Sequence, residues 1–278
     1  LITAGFGFKI SAVPFQMWAP DVYEGAPTPI TAFLSVASKA VGFAIILRIL
    51  YMVFENEALS SDWTSMMAVL SAISMSVGNL IAIKQNNIKR MLAYSTIAQA
   101  GYVMVGLAAM TSDTTLNTSG PVGILVYLAG YTFTNLAAFA VITAVSENSG
   151  DDSIDSFSGL IKRSPILAGI MTISMISLIG IPPTIGFMAK IYIFGAAVES
   201  NLTWLAFVGV INSVISAYYY LRVVKTMFMN SASENSQMKT RIGPLSAAVI
   251  SIVGTVVFGL YPRPIIELAR EAISTIVG

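Results

Sequence analysis

The sequence predicts an all-α, polytopic membrane protein, a transmembrane bundle of about eight spans in which two helices are broken. Three observations point there. Hydrophobic residues are 55% of the 278 and charged ones 10%, against ~25% charged in an ordinary soluble domain. Mean hydropathy is +0.77, which leaves too little polar surface to cover a water-soluble globule. The charges also cluster in short polar linkers between apolar intervals of ~20 residues, the length that crosses a bilayer. The 14 Met and 21 Gly, with Ser and Thr spread through those intervals, suit helices packed closely in lipid.

The elements follow in chain order. Residues 1–19 are apolar, with Lys9 and Pro14 inside. They have no basic n-region and no A-x-A site, so they are not a signal peptide. The chain starts at Leu1 and reads as the C-terminal part of a longer protein. Residues 28–53 form a second span, with Lys39 and Arg48 inside it, and 63–83, 91–112 and 114–146 are charge-free spans. From 165 to 198 the chain could make roughly 51 Å of helix at ~1.5 Å per residue, too long for one straight span. Pro182 and Pro183 interrupt it, each lacking a backbone donor.

Charge placement decides between one broken span and two short ones. With one, Lys84, Lys89, Arg90, Lys162, Arg163, Arg222, Lys225, Lys239 and Arg241 share a side, and Arg48, Arg263 and Arg270 share the other. Two spans would even out the split, so the positive-inside rule favours one, with the first set cytoplasmic and both chain ends outside.

Residues 200–221 and 242–262 complete the spans. Within 264–278, apolar positions 265, 268, 269, 272, 273 and 276 oppose Glu267, Arg270 and Glu271, the pattern of an amphipathic helix at the interface. Trp18, Trp63 and Trp204 fall near span ends, and Tyr218-Tyr219-Tyr220-Leu221-Arg222 reads as an interfacial girdle. The run 84–90 reads as a cytoplasmic anchor and Gly150-Asp151-Asp152 as a solvated loop.

Composition excludes several functions. Cys and His are both 0, which removes thiolate sites, haem held by His, Cys–His catalysis and the usual zinc sites. A net charge of +1 gives a nucleic-acid partner no support. There is no G-x-G-x-x-G, Walker A or nucleophile elbow, so direct NADH binding has no sequence support.

Three lysines stand out. Lys9, Lys39 and Lys190 fall inside apolar segments, with no acidic residue as deep. A charge at a helix centre costs ~2.5–3.5 kcal/mol on insertion scales. Lys39 is too far from either end of its span to snorkel, and an ion-pair partner would have to come from outside this chain. At an effective dielectric of ~20, a unit charge ~6 Å away changes the balance at such an ammonium by ~2.8 kcal/mol, enough to load or empty it of a proton. Lys9 precedes Pro14, and Lys190 follows Pro182 and Pro183, so each lies near a helix break. Broken membrane helices are tolerated where they are buried in protein or line a polar cavity. Paired broken helices resemble the inverted repeats of secondary transporters.

These residues sit in long motifs. Phe8-Lys9-Ile10-Ser11-Ala12-Val13-Pro14-Phe15 leads into Trp18-Ala19-Pro20-Asp21-Val22-Tyr23-Glu24-Gly25-Ala26-Pro27-Thr28-Pro29, and Ala32-Phe33-Leu34-Ser35-Val36-Ala37-Ser38-Lys39 follows. Two further motifs are Asn87-Ile88-Lys89-Arg90-Met91-Leu92-Ala93-Tyr94-Ser95-Thr96-Ile97-Ala98 and Gly180-Ile181-Pro182-Pro183-Thr184-Ile185-Gly186-Phe187-Met188-Ala189-Lys190. Together they resemble the antiporter-like membrane subunits of respiratory complex I, over essentially the whole chain.

The resemblance implies helices seven to fourteen of a fourteen-helix subunit built from two inverted five-helix units. Residues 1–53 would end the first repeat, 54–229 would be the second, and 230–278 would hold the last span and the tail. Lys9 would serve the first half-channel, Lys39 the link to the centre and Lys190 the exit. The glutamate that partners the first lysine would lie upstream of Leu1. Gln16 and Gln99 stand where the family usually has histidine, so any relay there must hold water rather than titrate.

The implied activity is proton translocation, as a non-redox subunit of an H⁺-translocating NADH:quinone oxidoreductase in the bacterial inner (plasma) membrane. The chain itself would bind no cofactor. NADH, FMN, Fe–S clusters and quinone would belong to other subunits, and the partners would be the other membrane-arm subunits and the lipid bilayer. The alternatives are a subunit of a multisubunit Na⁺/H⁺ antiporter or related ion-translocating hydrogenase complex, and a scaffold without transport.

Overall fold

A computed structural model describes residues 2–53, 57–110, 119–231, 238 and 240–277. The expected span ends at 112 and 114, and Lys239, lie outside the described residues. The helices are α1 (Ile2–Ile10), α2 (Trp18–Gly25), α3 (Thr28–Val53), α4 (Glu57–Ala82), α5 (Ile88–Ala108) and α6 (Ser119–Ser149). They continue as α7 (Leu160–Arg163), α8 (Pro165–Ile179), α9 (Ile185–Glu199), α10 (Thr203–Met229), α11 (Ile242–Leu260) and α12 (Arg263–Val277).

The fold is a polytopic helical bundle. Six of these helices, α3 to α6, α10 and α11, are long and apolar enough to cross a membrane. The interrupted stretch resolves into α8 and α9, and both halves run along α6, α10 and α11. Shared neighbours fit two collinear halves of one broken element. The first expected span, 1–19, holds α1, which ends at Ile10, and only the first two residues of α2.

Burial grades the bundle from centre to rim. The most apolar window of α5 is 94% buried, against 28% for α11, so α5 is the axis and α11 faces outward. Small residues let α5 sit there. A methyl on Gly101 would lie 2.7 Å from the Met75 backbone nitrogen, so the α4–α5 approach depends on that glycine. Asn87 caps α5, its side-chain oxygen accepting from the Arg90 backbone N–H at 3.0 Å.

The structure adds to two loop readings. Lys89, in the expected cytoplasmic anchor, is buried. Its ammonium pairs with Asp152 at 2.8 Å and donates to the Ala26 carbonyl at 2.9 Å. Residues 152–154 lie against the start of α5, with Ile88 N–H donating to Asp152 O and Ile154 N–H to Asn86 O, both at 2.8 Å. The run 84–90 therefore clamps a loop. Arg90 adds bonds of 2.7 Å to both Asp21 and Glu24 of α2. Asp151 stays exposed, and the Ser153 and Ser156 side chains hold its carboxyl below the usual carboxylate range.

The tail is helical, as its pattern requires. Ile265, Ile266, Ala269 and Ile273 of α12 are buried in one cluster with Val122 and Val126 of α6. Leu268, expected on that face, is exposed.

Candidate functional site

The site is built from the two places where a helix stops inside the bundle. A helix end leaves carbonyls without intrahelical donors, and within an apolar bundle each must find a partner. At the second break, Gly180 adopts φ 91°. Its N–H reaches Ser177 O at 3.0 Å, and Ile181 N–H reaches Ile176 O at 3.2 Å. This is a Schellman closure, and it leaves Leu178 O and Ile179 O to be satisfied.

Lys190 takes both carbonyls, at 3.3 Å and 2.7 Å, and also donates to Ser213 Oγ at 2.9 Å. Its ammonium lies 4.4 Å from the centroid of the Tyr102 ring, within cation–π range. Gln99 shares Leu178 O at 3.3 Å, donates to Tyr220 Oη at 3.3 Å and accepts from Tyr127. Gln99 thus binds the same helix end as Lys190. Pro182 and Pro183 lie in the break itself, joined by a cis peptide.

The first break closes in the same way. Ser11 adopts φ 59°. Its N–H reaches Phe8 O at 3.2 Å, and Ala12 N–H reaches Gly7 O at 2.8 Å. The terminal carbonyl, Ile10 O, receives Lys39 at 2.8 Å. Pro14 follows, in a cis peptide with Val13. Trp18 donates from its indole to Phe8 O at 3.0 Å beside this break.

Lys39 and Lys190 are 3% and 5% exposed, and among the described residues neither has a carboxylate partner. Lys9 differs. It is exposed on α1, with its stem beside Gly42 of α3. Its ammonium makes no hydrogen bond to a described residue. Gln16 is buried at the first break with its Oε1 unpartnered among the described residues, as is Ser11 Oγ.

Buried polar groups lie between the two breaks, in separate bonded pairs. Ser35 lies one turn before Lys39 on α3 and accepts from Asn135 Nδ2 at 2.6 Å. The adjacent Thr134 meets Ser177 Oγ at 2.9 Å, and Ser177 Oγ accepts from Gly186 N–H at 3.3 Å. Ser177 directly precedes Leu178, the carbonyl that Gln99 and Lys190 share.

A second branch leaves Lys190 through Ser213, whose hydroxyl donates to Tyr102 Oη at 3.3 Å. It continues to Asn79, which donates to Tyr102 Oη at 3.5 Å and to Asn212 Oδ1 at 3.1 Å and accepts from Tyr219 Oη at 2.9 Å. Tyr219 and Tyr220 are therefore fully buried, and only Tyr218 fits the expected girdle. A cleft of about 440 Å³, lined by Phe187, Phe194 and Val214 among others, opens onto Lys190. The sequence reading missed Asn79, Asn135 and Asn212, although each is an amide inside a charge-free interval, where a lone polar side chain usually bonds across helices.

The arrangement sets two buried lysine amines on the terminal carbonyls of broken helices, with buried hydroxyls and amides between the two breaks. Comparison with known proteins agrees with its membrane character. Residues 1–216 match the family described as "NADH:quinone oxidoreductase/Mrp antiporter, TM". The chain is 47% identical over 272 residues to NADH-quinone oxidoreductase subunit N of Desulforamulus reducens, covering 98% of this chain and 55% of that protein. It therefore spans about half the length of such relatives. Among solved structures, respiratory complex I from Thermus thermophilus with bound aureothin contains a chain that aligns with a TM-score of 0.80 at 31% identity, covering 96% of this chain and 57% of that one. The membrane-bound sulfane sulfur reductase, an archaeal respiratory membrane complex, gives a TM-score of 0.88 at 28% identity, covering 98% and 54%.

Proposed function

The chain belongs to the membrane-subunit family shared by NADH:quinone oxidoreductases and Mrp antiporters, and on that premise we propose that it translocates protons as a non-redox subunit of NADH:quinone oxidoreductase. The observation that carries this reading is the pair Lys39 and Lys190, each buried without a carboxylate and each bound to the last carbonyl of a broken helix. A cation is favoured at a helix C-terminus by the helix dipole, which offsets part of the cost of burying an ammonium without a fixed counter-ion. A charge arriving nearby would then release the proton to water ordered by the hydroxyls of Ser35, Thr134 and Ser177, with Asn135 holding Ser35 in place. Lys9, on the outer face of α1, would meet its carboxylate on a neighbouring helix outside this chain, and Gln16 and Gln99 would orient water.

In this reading the driving energy comes from quinone reduction elsewhere. NADH, FMN, iron–sulfur clusters and quinone belong to other subunits, and the chain's partners are the other membrane-arm subunits and the bilayer. The test is Lys39→Ala and Lys190→Ala in the complete complex, with proton uptake followed in inverted vesicles alongside NADH-driven quinone reduction. Loss of pumping in an assembled complex is the expected result, and normal pumping in both variants sinks the assignment. Because the family description also names Mrp antiporters, the second reading is Na⁺/H⁺ exchange. Transport that requires sodium selects it.

A further inference from the structure

A cleft of about 450 Å³ opens between α6, α9 and α12, running from the end of α9 toward the second break. Its wall changes character along α9. Glu199, the last residue of that helix, lines one end. Ala196, Gly195 and Tyr192 come next, and Ile191 and Met188 line the far end. From Glu199 to Met188 is roughly 16 Å of helix at ~1.5 Å per residue. Arg270 of α12 and Ser119 and Val122 of α6 complete the lining. A methyl built on Gly195 meets nothing within 4 Å, so the space along α9 is open.

Glu199 and Arg270 line the same cleft without pairing with each other, and among the described residues neither has an ion-pair partner. Two opposite charges, unpaired with each other, in one slot whose wall along α9 is mostly apolar match a zwitterion with a hydrocarbon tail. The amphipathic α12, its apolar face buried against α6, puts the arginine at the level where an interfacial helix meets headgroups.

We propose that this cleft binds a phospholipid whose headgroup carries a phosphate and a primary ammonium, the chemistry of phosphatidylethanolamine. The phosphate sits on Arg270, the ammonium on Glu199, and one acyl chain runs past Gly195 and Ile191 to Met188. Phosphatidylglycerol would bring an anion with no ammonium to satisfy Glu199. Phosphatidylcholine carries a quaternary ammonium that cannot donate a hydrogen bond to the carboxylate. The assignment uses only the membrane location of the chain and stands or falls separately from proton transfer.

The experiment places the complete complex in vesicles doped with one of three phospholipids, each bearing the same photoactivatable acyl chain and an ethanolamine, choline or glycerol headgroup. Cross-linked peptides are then mapped by mass spectrometry. The ethanolamine probe is expected to label residues 188–195. With surface charge contacts worth ~1 kcal/mol each, labelling should fall about fivefold in Glu199→Gln and in Arg270→Gln. Gly195→Leu fills the slot with both charges intact and should also abolish labelling, while Glu199→Asp should retain it. Equal labelling by all three probes, or wild-type labelling in both charge variants, overturns the proposal.

Discussion

At the first break α1 ends at Ile10, at the second α8 ends at Ile179, and both ends close through the same pair of backbone bonds. The lysines serving them are placed differently. Ile179 O is taken by Lys190, on the half-helix just beyond its own break. Ile10 O is taken by Lys39, on the next long helix. Side-chain direction gives the reason. In an α-helix the Cα–Cβ bonds point toward the N-terminus. Lys9 lies in the last turn of α1, so its chain points back, away from the carbonyls exposed at that end. Lys190 lies in the second turn of α9, and the same rule points it back toward the break. Here the lysine before its break leaves the last carbonyl to another helix, and the lysine just after its break takes it. Sequence spacing pairs Lys9 with Lys190, whereas carbonyl chemistry pairs Lys39 with Lys190.

The strongest test of that pairing is functional. Lys39→Met and Lys190→Met keep side-chain length and remove the charge. Stability is a poor readout, because a buried cation costing ~2.5–3.5 kcal/mol is traded against a terminal carbonyl whose desolvation costs about 1–3 kcal/mol. Proton pumping should fall at least about tenfold in each, equivalent to ~1.4 kcal/mol on the barrier, as measured by dye quenching in inverted vesicles. Equal losses sharpen the equivalence of the two sites. Pumping retained in Lys39→Met but lost in Lys9→Met breaks it and returns the first site to the lysine on α1.

The next effect is structural and confined to the second break. Gly180 has φ 91°, and a methyl there would sit 2.7 Å from Lys190 Cδ. Gly180→Ala should therefore cost roughly 1–2 kcal/mol in backbone strain, and it should push the lysine off its carbonyls. The expected outcome is a lower thermal midpoint of the complex together with reduced pumping. A lowered midpoint with full pumping would show that the lysine does not need its Ile179 contact to work.

Much of this was legible in the sequence, for reasons that differ by element. The span 28–53 coincides with α3 because its apolar run ends where the helix does. The break at 180–184 was legible because two prolines follow a glycine. The burial of Lys89 was not legible, because its charge lies in a run of polar residues, and only the fold brings Asp152 and Ala26 O to it. The bonds joining Asn79 to Asn212 and Tyr219 span well over a hundred positions, and no local pattern encodes them. The exposure of Lys9 was hidden for another reason. Depth along a span says how far a residue is from water at either end, and nothing about which side of the helix it occupies.

The smallest effect examines the first break by making it like the second. Ser11 holds φ 59°, where Gly180 has its counterpart. A non-glycine residue there pays roughly 1–2 kcal/mol, and glycine would relieve it while costing about 0.5–1 kcal/mol in extra chain entropy. Ser11 is fully buried and its hydroxyl has no partner among the described residues, so deleting it gives up no bond to them. Ser11→Gly should therefore leave the thermal midpoint unchanged or raise it slightly. Pumping separates two roles for that hydroxyl. If it only fills space, pumping stays at wild-type level and the two breaks are equivalent as backbone devices. A drop in pumping at an unchanged midpoint would place the Ser11 hydroxyl, together with the free Gln16 oxygen, on the proton's way to Lys39. The first break would then depend on a side chain where the second depends on glycine.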